Sequence, residues 1–226
     1  MPASIRLLLV LSVLSQTSFL LASEPPKEGR IDPEEAFDRI FDGRTLKGWD
    51  GKKGVFRVED KAIVAGNLKT KIPNNEFLCT KMKYSNFELR LQAKLIGEGK
   101  NAGIQFRSKR IPNHHEVIGY QADIGVMGRD HSIWGALYDE SRRRKFLAEG
   151  DQDKLRKTVK TSDWNDFVIR CEGPRVQIWV NKVQTVDYTE KDKGITASGI
   201  GIIGLQIHSG PPAEAWYRNI RIRELN

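Results

Sequence analysis

The chain has 226 residues but only two cysteines, Cys79 and Cys171, and four histidines. Two thiols in a chain of this length do not make a disulfide framework. Both lie in strand-like runs and read as small buried hydrophobes, with one bridge left open if their strands are neighbours. Helical periodicity is nearly missing, since only DQDKLRKTVK (151–160) offers a turn or two. No internal repeat occurs, which excludes a propeller. There is no unbroken apolar run long enough for a membrane span: Ser12, Ser15, Gln16, Thr17 and Ser18 interrupt the only approach to one. With Arg6 ahead of the apolar stretch Leu7 to Val13 and small residues at Ala22 and Ser23, residues 1–23 read instead as a secretory leader. Leu21 is an imperfect fit to the cleavage site, and an uncleaved anchor is the alternative. No cysteine follows the run, which argues against a lipid-anchored form.

What is plentiful is charge. Lys plus Arg number 37 against 29 Asp plus Glu, a net +8. A basic surface suits acidic partners such as sulfated or uronic glycans, nucleic acid or an anionic envelope surface. The basic clusters RSKR and SRRRK are short and carry no interleaved aromatics, so no nucleic-acid partner is expected.

After a polar linker at 24–35, EPPKEGRIDPEE within it, the chain from 36 to 226 reads as one domain of short strands parted by turn residues. GVFRVEDKAIVAG is a hairpin with Glu59-Asp60 at its tip. In FELRLQAKL, Phe87, Leu89, Leu91, Ala93 and Leu95 alternate with Glu88, Arg90, Gln92 and Lys94. Many such strands predict an all-β sandwich of antiparallel sheets, because tight turns let each strand bury one face and leave the other wet.

Three strands carry polar residues of matching parity. Gln105 and Arg107 oppose Ile104 and Phe106; Gln121 and Asp123 oppose Tyr120, Ala122 and Ile124; Gln206 and His208 oppose Leu205 and Ile207. An ordinary wet face would scatter Lys, Glu and Thr. These amides and charges of both signs, flanked by glycines, are suited to a groove for a polyhydroxylated ligand if the strands are neighbours. Trp134, Tyr138 and Trp216 are candidate aromatic walls. A second constellation, WGALYDESRRR, places Glu140 and Arg143 in a loop-like stretch, as an acid and its partner or as a pair that merely holds the loop. In NHHE, the adjacent His114 and His115 are expected to point to opposite sides, as solvated residues.

FDGRTLKGWDG, FLCTKMKYSNFELRLQAKL, NAGIQFRS, GYQADIG, GALYDESRRR, WNDFVIRCEG, GIIGLQIHSG and YRNIRIREL, in this order and spacing, resemble the 3-keto-disaccharide hydrolase domain family, also described as 3-keto-glucoside lyases and 3-keto-2-hydroxy-glucal hydratases. The resemblance spans Phe37 to Leu225 and implies a concanavalin A-like jelly-roll sandwich. The chain lacks the E-x-D-x-x-E run that would set two carboxylates on one strand face for retaining hydrolysis as in a laminarinase. The chemistry implied is different. A ketone at C3 acidifies the C2 proton, so a base removes it, the C1 substituent leaves by β-elimination, and water adds back.

Such a site needs a base, a donor for the enolate oxygen and an acid. His208 or Asp123 is the candidate base, Arg107 the partner of the enolate and Glu140 the acid. Gln105, Gln121, Gln206, Tyr138, Trp134 and Arg143 are candidate substrate-binding residues. No cofactor signature is present; Asp123 and His208 admit a divalent cation in the groove, without a ligand spacing that demonstrates one. The expected partner is a small oxidised glycoside or disaccharide, and the expected location is outside the cytoplasm, periplasmic or extracellular. A non-catalytic glycan-binding module, or an envelope protein holding anionic glycan, would account for the same amides and aromatics.

Overall fold

The computed structural model describes residues 36–196 and 199–225. The expected leader and linker, 1–23 and 24–35, lie outside the described residues. In chain order the elements are β1 (Asp38–Arg39), β2 (Trp49–Asp50), β3 (Phe56–Glu59), β4 (Ala62–Asn67), β5 (Glu76–Thr80), β6 (Phe87–Gly97), β7 (Asn101–Arg110) and β8 (Val117–Met127). They continue with β9 (His131–Ser132), β10 (Leu137–Glu140), β11 (Phe146–Ala148), α1 (Gln152–Thr158), β12 (Asn165–Glu172), β13 (Arg175–Val180) and β14 (Val183–Thr189). Last come α2 (Lys193–Thr196), β15 (Ile202–Ile207) and β16 (Ala213–Glu224).

These strands build two antiparallel sheets. The first runs β14-β13-β12-β6-β16-β4-β3, with β1 on β16, and the second runs β11-β10-β8-β7-β15-β5-β2, with β9 on β8. The all-β sandwich is as expected. Period-two alternation sorts each strand: Leu89, Leu91, Phe167, Ile169 and Ile178 of the first sheet meet Ile104, Phe106, Ala122, Ile124 and Leu205 of the second in one core. Fully burying one such side chain contributes about 1.5–3 kcal/mol. The first hairpin turns at Asp60 and Lys61, both at positive φ (48° and 60°), one residue later than expected and suited to the primed turns that match strand twist.

One bond ties the layers together beneath the polar strands. Tyr217 of β16 is fully buried, and its hydroxyl lies 2.6 Å from the carbonyl of Gln206 on β15 and 3.2 Å from that of Gly103 on β7. The two cysteines are free, buried thiols on different sheets, Cys79 on β5 and Cys171 on β12.

Candidate functional site

The three polar strands are neighbours, in the order β8-β7-β15. Their register aligns Cys79, Gly204, Gln105, Gln121 and Tyr138 in one cross-strand row. The next row holds Phe77, Gln206, Gly103 and Asp123. Both face away from the core. Gly103 has a specific purpose in this arrangement, for a Cβ there would sit 2.4 Å from Cδ of Gln121. Its absence lets the Gln121 side chain lie across the strand.

The result is a directed chain of hydrogen bonds. Ser108 Oγ donates to Gln105 Oε1 at 2.7 Å, Gln105 Nε2 to Gln121 Oε1 at 2.7 Å, and Gln121 Nε2 to Asp123 Oδ1 at 2.5 Å. Ser108 Oγ also lies 2.9 Å from the carbonyl of Phe106 and 3.3 Å from that of Tyr120, so its single proton is shared among acceptors at the head of the chain. None of the four residues is more than 3% exposed. Beside them Gln206 is fully buried, and neither Oε1 nor Nε2 has a hydrogen-bond partner. An amide in that state costs about 1–3 kcal/mol.

The hairpin joining β7 to β8 curls over this face instead of running straight. Arg110 donates to the carbonyls of Asp50 and Phe77 (2.5 and 3.1 Å), and Val117 packs with Phe77, Cys79 and Ile202. Asn75 Nδ2 then donates to Glu116 Oε1 at 2.9 Å, while Asn75 Oδ1 accepts from the backbone N–H of Ser209 at 2.8 Å. This brings the Glu116 end of the hairpin to the segment that holds His208. His208 lies one residue beyond the end of β15 and is half-buried. Its Nδ1 lies 2.7 Å from the Ser209 carbonyl, which can only accept, so Nδ1 carries a proton and, in the neutral ring, Nε2 holds the lone pair.

Carboxylates gather on the same face. Burial first, then the negative charges of Glu140 and Glu149, push the Asp123 carboxyl well above its ordinary 3.8, against the lowering by Gln121. Burial and then Glu116 raise Glu140. Burial, then Glu140 and Asp123, raise the phenol of Tyr138. Among the described residues no group of three or more His, Cys, Asp or Glu side chains is arranged to hold a metal, so the divalent cation admitted by the sequence finds no ligand set here.

The raised Asp123 has a consequence for stability. A folded state that holds a proton more tightly than the unfolded chain has its full benefit below about pH 3.8 and loses it as pH rises through the folded-state value. Asp123→Asn keeps an acceptor for Gln121 and removes the titration. The variant is expected to match the wild type in acid and to exceed it increasingly as pH rises, by at least about 2 °C in melting temperature on the alkaline side. Melting curves across pH check this, and parallel curves would show that Asp123 ionises without cost.

Several sequence-predicted residues lie elsewhere. Arg107 does not join the polar face. The β7–β8 register shifts after Phe106, Arg107 takes φ +47°, and its guanidinium crosses to the first sheet, donating to the carbonyls of Ser85 and Gly173 and to Asn86 Oδ1. Gly201 makes room for this bulge, since a Cβ there would meet the Arg107 carbonyl carbon at 2.4 Å. Trp134 is a core residue packed on Phe167 rather than a wall. Trp216 projects from the outer side of the opposite sheet, where Lys94 Nζ sits 4.4 Å from its ring centroid. Tyr138 does stand on the polar face, edge-on to Phe146.

Arg143 binds Asp139 and Glu190 instead of Glu140. Glu140 accepts from the backbone N–H of Ser141 at 3.1 Å. His114 and His115 do not point apart but stack, with centroids 4.3 Å apart, because the segment is a turn and not a strand.

The model of the 3-keto-alpha-glucoside-1,2-lyase-like domain matches residues 36–223. The chain belongs to this family. The lyase-like domain thus sits among carbohydrate-active, hydrolase-like proteins, as the recognisable motif order implied. Its fold is similar to that of a candidate glycosyl hydrolase from Parabacteroides distasonis, with TM-score 0.59 and 16% identity over 85% of this chain and 95% of that one. It is also similar to the carbohydrate-binding module CBM66 from Bacillus subtilis, with TM-score 0.58 and 15% identity over 78% and 96% of the two chains. A third likeness is the exoplasmic/lumenal domain of VIP36, in a form bound to Ca2+ and Man3GlcNAc, with TM-score 0.58 and 10% identity over 86% and 90%. These likenesses show the jelly-roll fold. No curated protein sequence matches the chain.

Sequence reasoning missed three residues of the lyase-like domain's polar face. Ser108 lost its signal because the bulge at Arg107 breaks the alternation that would have marked it. Asn75 and Glu116 stand outside any alternating run and are recruited only by the curl of the hairpin.

Proposed function

We propose that the domain cleaves 3-keto-glycosides by elimination and hydration, as an exported enzyme, with the chemistry on the outer face of β8, β7 and β15. What carries this reading is one arrangement: a buried carboxyl at the end of an oriented amide chain, an imidazole with a fixed tautomer, and a buried amide with both atoms unpartnered. Nε2 of His208 is the base that takes the C2 proton. The electron pair moves to the C3 oxygen, where Nε2–H of Gln206 supplies the donor that Arg107, turned away, does not. When the C3 carbonyl re-forms, the C1–O bond breaks with a C1–C2 double bond taking its place. Asp123, whose carboxyl burial makes hold its proton more tightly, gives that proton to the departing oxygen. Water then adds across the double bond, oxygen to C1 and hydrogen to C2, for net hydrolysis. Gln105 and Gln121 orient Asp123, and Tyr138 and Glu140, from β10, receive sugar hydroxyls in this reading.

The fold is shared with a carbohydrate-binding module, so binding without turnover is the rival reading. Incubating the purified chain with a 3-keto-glucoside is expected to release 3-ketoglucose, while the unoxidised glucoside stays intact because its C2 proton is not acidic. Measurable glycan binding with no product from any ketosugar would establish the rival.

A further inference from the structure

A cleft lined by Arg107, Tyr120, Arg142, Pro174, Glu190, Ile195 and Gly199 includes none of the residues assigned above to the elimination. Its charges do not cancel. Arg142 pairs with Asp139, and its guanidinium carbon stacks 4.7 Å from the Tyr120 ring centroid. Arg143 bridges Asp139 and Glu190. Two cations and two carboxylates therefore balance. Glu190 has no spare reach toward the opening, since it also takes the Tyr120 hydroxyl at 2.5 Å and the backbone N–H of Asp192 at 3.0 Å.

Arg107 is the surplus. It is 8% exposed, and its three partners are all neutral: the carbonyls of Ser85 (2.8 Å) and Gly173 (2.6 Å) and the amide oxygen of Asn86 (3.0 Å). A guanidinium has five N–H donors, so two are left. Burying a cation without an anion is unfavourable, and the fork geometry fits a carboxylate or a sulfate. Pro174 and Ile195 add apolar wall to the same opening. We propose that this cleft is a receptor for one small oxyanion, a carboxylate or a sulfate group, held by Arg107 with Arg142 beside it and distinct from the site of elimination.

The test is calorimetric titration of the full chain with sodium sulfate and with sodium D-glucuronate, against sodium chloride at matched ionic strength. Saturable binding of either oxyanion is expected, and the preferred one tells a sulfate receptor from a sugar-acid receptor. Arg142→Gln leaves Arg143 on Asp139 and should weaken binding at least about fivefold, as should Arg107→Lys, which loses the fork. Arg107 also braces the two sheets, so if Arg107→Lys fails to fold, Arg142→Gln decides alone. A response no different from chloride, or a folded Arg142→Gln variant that binds like the wild type, overturns the proposal.

Discussion

His208→Ala is expected to lower turnover of a 3-keto-glucoside by roughly 10²–10⁴ while leaving the KM within about threefold. The size follows from what the side chain does: with the proton on Nδ1 held by the Ser209 carbonyl, it offers the Nε2 lone pair as the base. The loss falls on turnover because Tyr138 and Glu140, which receive hydroxyls, are untouched. Imidazole added to the medium should restore part of the rate, because His208 is only half-buried and its removal leaves an open socket. A purely structural histidine would give neither the separation of turnover from binding nor the rescue. If His208→Ala turned over ketosugar within threefold of the wild type, the proton would be leaving by another route.

The second large effect is a divergence of activity and stability at Gln206. Gln206→Leu is expected to cost about 10²–10³ in turnover, since the developing enolate loses its donor. The same change should stabilise the fold by about 1–2 kcal/mol, because an amide with no partner for either atom gives way to a hydrocarbon of similar size. Kinetics on a ketosugar and chemical denaturation of the two proteins measure both signs. A Gln206 with no part in the chemistry would show the stability gain without the kinetic loss. A less stable and fully active variant would remove Gln206 from the chemistry.

The sandwich was legible because alternation is local: Phe87, Leu89 and Leu91 each declare a face without reference to the rest of the chain. The adjacency of the three polar strands, β8, β7 and β15, was an assumption that the sheet order satisfies. Parity then placed Gln105, Gln121, Asp123 and Gln206 together. It failed at Arg107, where one extra residue in the ladder turns the side chain from the outer face to the gap between sheets. Trp134 and Trp216 failed for another reason. An aromatic ring is as useful in a core or on a far face as in a sugar site, and nothing in its neighbours says which. Asn75 and Glu116 are brought in by a tertiary fold-over that no run of residues encodes by itself.

The phenol of Tyr217 gives the molecule a hidden adjustment screw. It belongs to one layer and grips the backbone of Gln206 in the other, close to Gly103. How this pair of strands, β15 and β7, seats on the first sheet is thus governed from the interior, at a fully buried position. Selection for a different sugar could retune the site by altering β16 alone, while every group that meets the substrate stays as it is.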